Sequence, residues 1–338
     1  MSEQLPGLDL AALTPWFAEH VDEVGDGLTA ELIAGGKSNL TYRLRAGERE
    51  WILRRPPVGR LLATAHDMGR EYRMMSALGQ TAVPVPHMYG YCDDADVLGA
   101  PFYVMEAVTG TPYRRADELR PLGPERTRAI SERLVDTLAA VHAVDPAQVG
   151  LADFGRAEGF LGRQVDRWRS QFDAAHTRDL PDMIALHSAL AQRVPADGPA
   201  GIVHGDYRLD NVLFDADDQP AAVIDWELST LGDSLTDVAL MSVYDRMGKL
   251  APGAVSDVAA APGYLDEHEM LARYAAGSDR DLSDFGFYVG LACFKLAGIV
   301  EGIHYRYVNG QTVGEGFASV GDMVNPLLGA GLTALAQA

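Results

Sequence analysis

The sequence predicts an α+β fold with two lobes, a small β-rich N-terminal lobe and a mainly helical C-terminal lobe. The chain has 338 residues, which is more than one small core requires. Short runs with strand alternation dominate as far as residue 105, whereas long runs with helical spacing dominate beyond it. We therefore predict an N-terminal lobe at residues 1–105, a hinge at 106–110 and a C-terminal lobe at 111–338.

The amino-acid composition limits the classes of protein to which the chain can belong. Hydrophobic residues make up 47% of the chain and charged residues 22%, as in ordinary globular proteins, and the formal net charge of −20 argues against a nucleic-acid partner. Cys92 and Cys293 lie far apart in apolar surroundings, which predicts buried reduced thiols rather than a metal or redox pair. Neither a signal peptide in Met1–Leu10 nor an apolar run of about 18 residues is visible, so we expect no membrane span and a cytoplasmic location.

The N-terminal lobe is predicted from apolar spacing and from turn residues. Its elements are a helix at Leu8–His20 with a start at Thr14-Pro15, two strands in Leu32–Arg45, a strand at Glu50–Arg54, a helix at Thr64–Leu78, and strands at Tyr89–Asp93 and Phe102–Met105 around a turn at Asp94–Ala100.

The C-terminal lobe is predicted to be mainly helical. Its helices are Pro124–Val144, Phe160–Ala175, Met183–Arg193, Leu265–Ala276, Phe285–Asn309 and an apolar tail from Phe317. The stretch from Gly248 to Gly263 is rich in alanine, proline and glycine, and it predicts a mobile loop.

One stretch of the sequence contains the residues that point to a specific chemistry. Val203 to Asn211 follows the pattern H-x-D-x-x-x-x-N, and an apolar strand ending at Asp225-Trp226-Glu227 comes shortly after. Protein kinases use this layout for their catalytic and metal-binding loops. Asp206 would orient and deprotonate an acceptor hydroxyl, while Asn211 and Asp225 would hold Mg²⁺ through hard oxygen ligands.

A glycine-rich turn lies far upstream of these loops in the sequence. It consists of Gly35, Gly36, Lys37, Ser38 and Asn39. The turn is not a P-loop, because Glu31 stands where that motif needs its first glycine and because a strand follows instead of a helix. We predict a hairpin that covers a nucleotide with its backbone N–H groups.

Arg54 ends the next strand, at the place where kinases have a phosphate-clamping lysine. A guanidinium can pair with phosphate oxygens in a bidentate way and is always charged. Glu71, on the following helix, is the candidate partner that orients Arg54. Strand alternation sends the neighbouring Arg55 to the opposite face.

These motifs together resemble the aminoglycoside phosphotransferase and choline kinase family, which reads H-G-D and I-D-W/F-E at the two loops. The likeness extends over roughly residues 25–325 and is nearest to the kinase-like domain of acyl-CoA dehydrogenase 10/11-type proteins. The other segments that carry it are Gly35–Tyr42, Trp51–Pro57, Arg70–Arg73 and Pro101–Glu106.

The resemblance implies a protein-kinase-like two-lobe fold, with ATP or GTP bound between the lobes and Mg²⁺ as cofactor. By the same match, the Glu106 carbonyl and the Val108 N–H would bind the adenine base. Asp237 would brace the catalytic loop from below, although a simple helix N-cap is an alternative role. Ser234 stands where the family usually has proline.

Other polar residues near the motif have roles that chemistry suggests. His204 is expected to hold the loop through hydrogen bonds, and Asp210 to stay solvated beside the metal ligand. Arg208 could neutralise charge at the transferred phosphate. His142, on the long helix before the loop, is expected to be a packed core histidine.

The leading hypothesis for function is an ATP-dependent phosphotransferase, with GTP as the alternative donor, that acts on a hydroxyl of a small molecule. The acyl-CoA dehydrogenase likeness favours a hydroxyacyl-type acceptor. An aminoglycoside kinase is the alternative, since a polycation would suit an acidic protein. A non-catalytic nucleotide-binding regulator is the second alternative, suggested by Arg54 and Ser234.

Overall fold

The computed structural model describes residues 5–21, 27–33, 39–59, 67–250, 256–312 and 317–337. The chain divides into two compact units. The first unit comprises Met1–Gly110 and Ala221–Ser229, and the second comprises Thr111–Pro220 and Thr230–Ala338. The short segment that carries Asp225 therefore groups with the first unit, although it lies late in the sequence.

Nine strands are formed by the described residues. They are β1 (Thr29–Leu32), β2 (Leu40–Ala46), β3 (Arg49–Arg55), β4 (Met88–Cys92), β5 (Phe102–Glu106), β6 (Gly201–Val203), β7 (Val212–Phe214), β8 (Pro220–Val223) and β9 (Thr230–Gly232).

Eleven α-helices are formed by the same residues. They are α1 (Leu10–His20), α2 (Met68–Leu78), α3 (Ala95–Leu98), α4 (Ala116–Leu119), α5 (Pro124–Ala143), α6 (Phe160–Ala175), α7 (Pro181–Ala191), α8 (Leu235–Leu250), α9 (Glu267–Ala276), α10 (Phe285–Val308) and α11 (Val324–Ala336). Short 3-10 turns occur at Leu209–Asn211 and Trp226–Leu228.

The first unit is built on a five-stranded antiparallel sheet with the order β1-β2-β3-β5-β4. Its apolar face packs on α1, where the Phe17 ring meets the Trp51 ring edge-on at 5.1 Å between centroids. Alternation along β3 places Arg54 and Arg55 on opposite faces, as predicted. Arg55 is buried and donates to the carbonyls of Gly7 and Leu98.

Helix α1 lies within the predicted range Leu8–His20, but it begins before the candidate start at Thr14-Pro15. Asp9 caps it by accepting hydrogen bonds from the N–H groups of Ala11 at 2.9 Å and Ala12 at 3.3 Å. The predicted start at Thr14-Pro15 is wrong, because the Asp9 cap satisfies the first donors and leaves Pro15 inside the helix. Two buried side chains, Leu13 and Phe17, fix this helix on the sheet.

Two other elements of the first unit differ from expectation. Helix α2 begins at Met68 with Asp67 as its cap, whereas the prediction began at Thr64, which lies outside the described residues. The turn predicted at Asp94–Ala100 contains the helical turn α3. Asp94 caps it, and Gly99 ends it with a left-handed φ of 78° that suits glycine.

The second unit is mainly helical, which confirms the predicted α+β class. Its central helix, α10, is by length and composition apolar enough to cross a membrane, which the sequence analysis did not anticipate. However, 72% of its most apolar window is buried inside the protein, as expected for a core helix. Cys293 lies on this helix, and both it and Cys92 are free and buried, as predicted.

Helix ends in the second unit follow local chemistry. Helix α7 begins at Pro181 rather than at Met183, since proline suits the first helical position. Helix α8 continues to Leu250, into the stretch predicted as a mobile loop, and a 3-10 turn forms at Val258–Ala260. The apolar tail is helical from Val324, after a 3-10 turn at Val320–Met323.

Candidate active site

Strand β6 leads directly into the catalytic loop of the second unit, where Asp206 is the central residue. The Asp206 carboxylate accepts a hydrogen bond of 2.6 Å at Oδ1 from the Tyr244 hydroxyl. Its other oxygen, Oδ2, lies 3.3 Å from the Asn211 side-chain nitrogen and 3.6 Å from Arg208 Nε. The carboxylate is thus oriented by groups on both of its oxygens.

Asn211 ends a 3-10 turn, and its amide folds back on the loop. The amide nitrogen donates to the main-chain oxygen of Asp206 at 2.8 Å as well as to its carboxylate. Because the nitrogen is directed to Asp206, the amide oxygen is the atom that can act as a metal ligand. This is the orientation that a Mg²⁺ ligand requires.

Asp210 is buried, which corrects the expectation that it stays solvated. Only 2% of its side chain is exposed, and Arg208 Nε lies 2.9 Å from its Oδ1. Arg114 donates to Oδ2 at 3.1 Å. A buried carboxylate needs such partners, so Arg208 is an ion-pair partner of Asp210 in this structure. Its suggested action on a transferred phosphate stays a prediction.

Asp237 supports the loop from α8. Its carboxylate accepts the main-chain N–H groups of His204 at 2.6 Å and Gly205 at 2.8 Å. Burial alone would raise the pKa of Asp237, but its hydrogen bonds with His142 and Gly205 hold that pKa below its ordinary value. These bonds brace the loop as expected, and Asp237 lies in the first turn of α8, at the predicted helix start, rather than at the N-cap.

Two histidines behave as structural residues. His204 is fully buried and its Nδ1 accepts the Asp206 N–H at 3.2 Å, so it holds the loop as expected. His142 is buried between the Tyr274 hydroxyl at 2.8 Å and Asp237 at 3.4 Å. Burial lowers the pKa of His142, which favours the neutral ring of a core histidine.

Lys295 reaches the loop from α10. Its Nζ donates to the Gly205 carbonyl at 2.8 Å and lies 5.7 Å from the centre of the Trp168 ring. Burial lowers the pKa of Lys295, while the charges of Asp206 and Asp237 act in the opposite direction. Gly205 has a φ of 88°, a left-handed value that glycine adopts without strain.

In the first unit, Arg54 forms a charge cluster with three carboxylates. Its guanidinium lies 3.2 Å from Glu71, 2.9 Å from Asp225 and 3.4 Å from Glu227. The Tyr103 hydroxyl adds a bond of 2.9 Å to Glu71. The pairing of Arg54 with Glu71 that the sequence suggested is therefore present, and the segment 221–229 supplies the other two acidic groups.

Burial dominates the electrostatics of this cluster. Glu71 is 1% exposed, and burial raises its pKa to about 7, although Arg54 and Tyr103 act to lower it. Burial would lower the pKa of Arg54, but Tyr103, Glu71 and Asp225 together raise it, so the guanidinium stays charged.

Asn39 joins the cluster from the start of β2. Its amide nitrogen lies 3.4 Å from Glu71 and 3.3 Å from Glu227, and its side chain is buried. Gly35, Gly36, Lys37 and Ser38 lie outside the described residues, so their predicted contact with a nucleotide stays a prediction.

Asp225 sits in an unusual backbone conformation, with φ 67° and ψ 58°. Aspartate tolerates the left-handed region better than most residues, and such conformations cluster at functional sites. The next residue, Trp226, is fully buried and donates to the Val223 carbonyl at 3.0 Å. This anchor fixes the turn and hence the direction of the Asp225 carboxylate.

The predicted hinge follows β5. Glu106 pairs with His87, its main-chain N–H donating to the His87 carbonyl at 2.8 Å. In the described part of the chain, the Val108 N–H forms no main-chain hydrogen bond. The role of that group in binding adenine stays a prediction.

The donor set fits Mg²⁺. Among the residues described, no group of three histidine, cysteine, aspartate or glutamate side chains could hold a metal ion. A nucleotide-bound Mg²⁺ needs only one or two protein ligands, because phosphates and water supply the others. The Asp225 carboxylate and the Asn211 amide oxygen are hard oxygen donors of the kind that this ion takes.

Sequence reasoning missed several residues at these two sites. Tyr103 and Tyr244 donate to Glu71 and Asp206, but each lies on an element distant in sequence from its partner. Glu227 had a signal, since it belongs to the D-W-E motif, but it was not assigned a role. No sequence signal pointed to Tyr103 or Tyr244, because aromatic residues at helix or strand spacing usually indicate the hydrophobic core.

Comparison with known proteins agrees with this geometry. The profile of the APH phosphotransferase enzyme family matches residues 29–275, which include every residue of both sites described above except Lys295. The chain belongs to this family. Membership in a family of phosphotransferases accounts for the presence of the catalytic loop and of the acidic segment in one chain.

Curated relatives extend the likeness. Rat acyl-CoA dehydrogenase family member 11 is 34% identical over 334 residues, covering 96% of this chain and 43% of the relative. Mouse acyl-CoA dehydrogenase family member 10 is 35% identical over 281 residues, covering 82% of this chain and 26% of the relative. The chain thus spans less than half the length of these relatives.

Solved structures share the fold. A candidate aminoglycoside phosphotransferase from Ralstonia eutropha JMP134 has a TM-score of 0.86 at 33% identity, covering 97% of this chain and 98% of that chain. A complex of aminoglycoside phosphotransferase APH(4)-Ia with AMP-PNP and hygromycin B has a TM-score of 0.61 at 15% identity, covering 96% and 98%. The protein-kinase-like fold and the predicted family are therefore confirmed.

Proposed function

We propose that this protein is an ATP-dependent phosphotransferase that phosphorylates a hydroxyl group of a small molecule. In the reaction, the acceptor oxygen forms a bond to the γ-phosphorus as the bond between that phosphorus and the β,γ-bridging oxygen breaks. The acceptor loses its proton and ADP leaves. GTP is the alternative donor.

The geometry of Asp206 is the observation that carries the proposal. The carboxylate is held by Tyr244 and Asn211, and the loop beneath it is fixed by Asp237. A base fixed in this way can orient the acceptor hydroxyl and take its proton as the new bond forms.

In the proposed function, Asn211 and Asp225 each supply one oxygen ligand to Mg²⁺. The Asn211 nitrogen is bound to Asp206, which leaves its oxygen as a ligand, and the Asp225 carboxylate is presented by a turn that Trp226 anchors. When bound, Mg²⁺ would neutralise charge on the donor phosphates.

The first unit supplies groups suited to a nucleotide. Arg54 is a charged donor that Glu71 orients, and Asn39 lies beside the same acidic groups. In the proposed function, Arg54 pairs with phosphate oxygens, the hairpin from Gly35 to Asn39 covers them, and the main chain at Glu106 and Val108 binds the base.

For the acceptor, we favour a hydroxyacyl-type molecule. Acyl-CoA dehydrogenase family members 10 and 11 are relatives along most of this chain. Near Asp206 the second unit carries the cations Arg208 and Lys295, which suit an acceptor with an anionic group. An aminoglycoside acceptor is the second candidate, supported by the names of the solved neighbours.

Mg²⁺-dependent ADP release over a panel of hydroxylated acceptors tests the proposal. The panel contains hydroxyacyl-CoAs, free hydroxy acids, choline-like alcohols, sugars and aminoglycosides. The expected result is release with a hydroxyacyl compound that disappears in Asp206→Ala and persists in Asp217→Ala, an exposed control in the same unit. ATP binding without transfer to any acceptor or to water would contradict it and favour a nucleotide-binding regulator.

A further inference from the structure

Tyr244 forms the shortest hydrogen bond to the Asp206 side chain, at 2.6 Å from its hydroxyl to Oδ1. The guanidinium of Arg208 lies 5.2 Å from the centre of the Tyr244 ring. The ring is half-buried, and the sequence motif gives no reason for a tyrosine at this position. A bond this short to a candidate base suggests a role in its chemistry.

Tyr244 and Asp237 act on the loop from one helix. Asp237 binds the main chain of His204 and Gly205, whereas Tyr244 binds the side chain of the next residue, Asp206. The two residues of α8 are about two helical turns apart and thus share a face. Helix α8 therefore fixes both the backbone of the loop and the orientation of its carboxylate.

The two carboxylate oxygens of Asp206 have different surroundings. Oδ1 takes the strong bond from Tyr244. The contacts of Oδ2 with described residues are longer, 3.3 Å to Asn211 and 3.6 Å to Arg208. Because Asn211 is also the candidate metal ligand, Oδ2 is the oxygen on the side of the loop where phosphoryl transfer is proposed.

We propose that Tyr244 is a positioning residue, which holds Oδ1 of Asp206 so that the acceptor hydroxyl delivers its proton to Oδ2. This inference rests on the proposed function and adds to it the oxygen that acts as base. The phenol is suited to this role, because burial and the nearby Asp206 carboxylate raise the pKa of Tyr244 well above its ordinary value. It therefore stays a hydrogen-bond donor at working pH.

The kinetic test uses water as the acceptor, since it needs no identified substrate. Mg²⁺-ATP hydrolysis is measured as phosphate release in the whole chain and in Tyr244→Phe. Loss of one hydrogen bond to a charged group predicts a fall in kcat of roughly 10- to 100-fold with KM for ATP unchanged. In the Asp206→Ala background, Tyr244→Phe should add no further loss, because Tyr244 acts through Asp206.

Tyr288→Phe is the matched control. It also removes a buried tyrosine–aspartate hydrogen bond, from the Tyr288 hydroxyl to Asp233 at 2.7 Å, but it does not touch the loop. Equal rates in Tyr244→Phe and Tyr288→Phe would overturn the inference. The inference would also be overturned if Tyr244→Phe lowered kcat by the same factor in Asp206→Ala as in the wild type. Tyr244 would then act independently of Asp206.

A crystal structure of Tyr244→Phe gives a readout that does not depend on activity. The Asp206 carboxylate should rotate away from its wild-type orientation while its main chain stays bound to Asp237. A carboxylate that keeps its orientation would overturn the positioning role whatever the kinetics. If the wild type transfers phosphate to no acceptor, including water, the proposed function fails. The crystal structure of Tyr244→Phe then decides by itself whether Tyr244 positions Asp206.

Discussion

The Asp237 carboxylate accepts the main-chain N–H of His204 at 2.6 Å, which joins helix α8 to the loop that carries the candidate base. Its second oxygen accepts the N–H of Gly205, so one buried side chain satisfies two successive buried donors. The orientation of the loop therefore depends on a residue far along the chain.

Replacing Asp237 with alanine should destabilise the protein strongly. Two buried N–H groups would lose their acceptor, at a cost of about 1–3 kcal/mol each. Urea unfolding of Asp237→Ala should show this loss, whereas Asp217→Ala, an exposed control, should unfold like the wild type. Equal unfolding midpoints for the two variants would mean that the loop finds other acceptors.

Replacing Asp206 with alanine should lower phosphoryl transfer by at least about a hundredfold, the range for loss of a general base. ATP affinity should change little, because Asp206 is proposed to act on the acceptor. Turnover and isothermal titration with ATP separate the two effects. Turnover close to the wild-type value in Asp206→Ala would assign the base elsewhere.

Glu71 should make stability depend on pH. Its folded pKa of about 7 exceeds the ordinary value of 4.5, so between these values the folded protein binds more protons than the unfolded chain. The stabilising contribution is present below about pH 4.5 and is lost as pH rises through 7. The unfolding free energy should thus fall on the order of 2 kcal/mol between pH 5 and 7.5.

Urea unfolding at a series of pH values measures this effect. Glu71→Gln should show a flatter profile over the same range, while the exposed control Glu31→Gln should keep the wild-type slope. Identical slopes in Glu71→Gln and the wild type would assign the pH dependence to other groups.

Arg54 should determine nucleotide affinity. Arg54→Met removes a guanidinium from beside Glu71, Asp225 and Glu227 and removes the proposed phosphate contact, so Mg²⁺-ATP binding should weaken at least about tenfold. Arg54→Lys should recover part of the affinity, since lysine keeps the charge but not the planar fork. Titration calorimetry checks this, with the exposed Arg49→Met as control. Unchanged affinity in Arg54→Met would exclude the phosphate role.

Removal of Mg²⁺ with EDTA should abolish transfer, and added Mg²⁺ should restore it. Asparagine also tolerates the left-handed backbone of residue 225, so Asp225→Asn should fold normally. It should nevertheless need at least about tenfold more Mg²⁺ for half-maximal rate, because a neutral amide binds this ion less well. A wild-type Mg²⁺ dependence in Asp225→Asn would remove Asp225 from the metal site.

The sequence predicted those parts of the site that lie close together along the chain. The spacing of Asp206 and Asn211 is fixed by one loop, and the alternation of Arg54 and Arg55 is fixed by one strand. Tyr103 and Tyr244 could not be predicted, because their roles arise only when elements distant in sequence pack against Glu71 and Asp206.

Two local predictions were wrong for a related reason. Proline at position 15 suggested a helix start, but the cap at Asp9 outweighs the single hydrogen bond that a proline removes. Asp210 was expected to stay in water, but Arg114 and Arg208 pair with it. Capping and ion pairing depend on partners that apolar spacing does not reveal.

The attachment of α8 to the loop at Asp237 and Tyr244 also limits where the protein can accept extra residues. Side chains rotate by about 100° around a helix with each added residue. A one-residue insertion between these positions would therefore turn one of them away from the loop. Such an insertion should therefore uncouple the support of the loop backbone from the orientation of the Asp206 carboxylate.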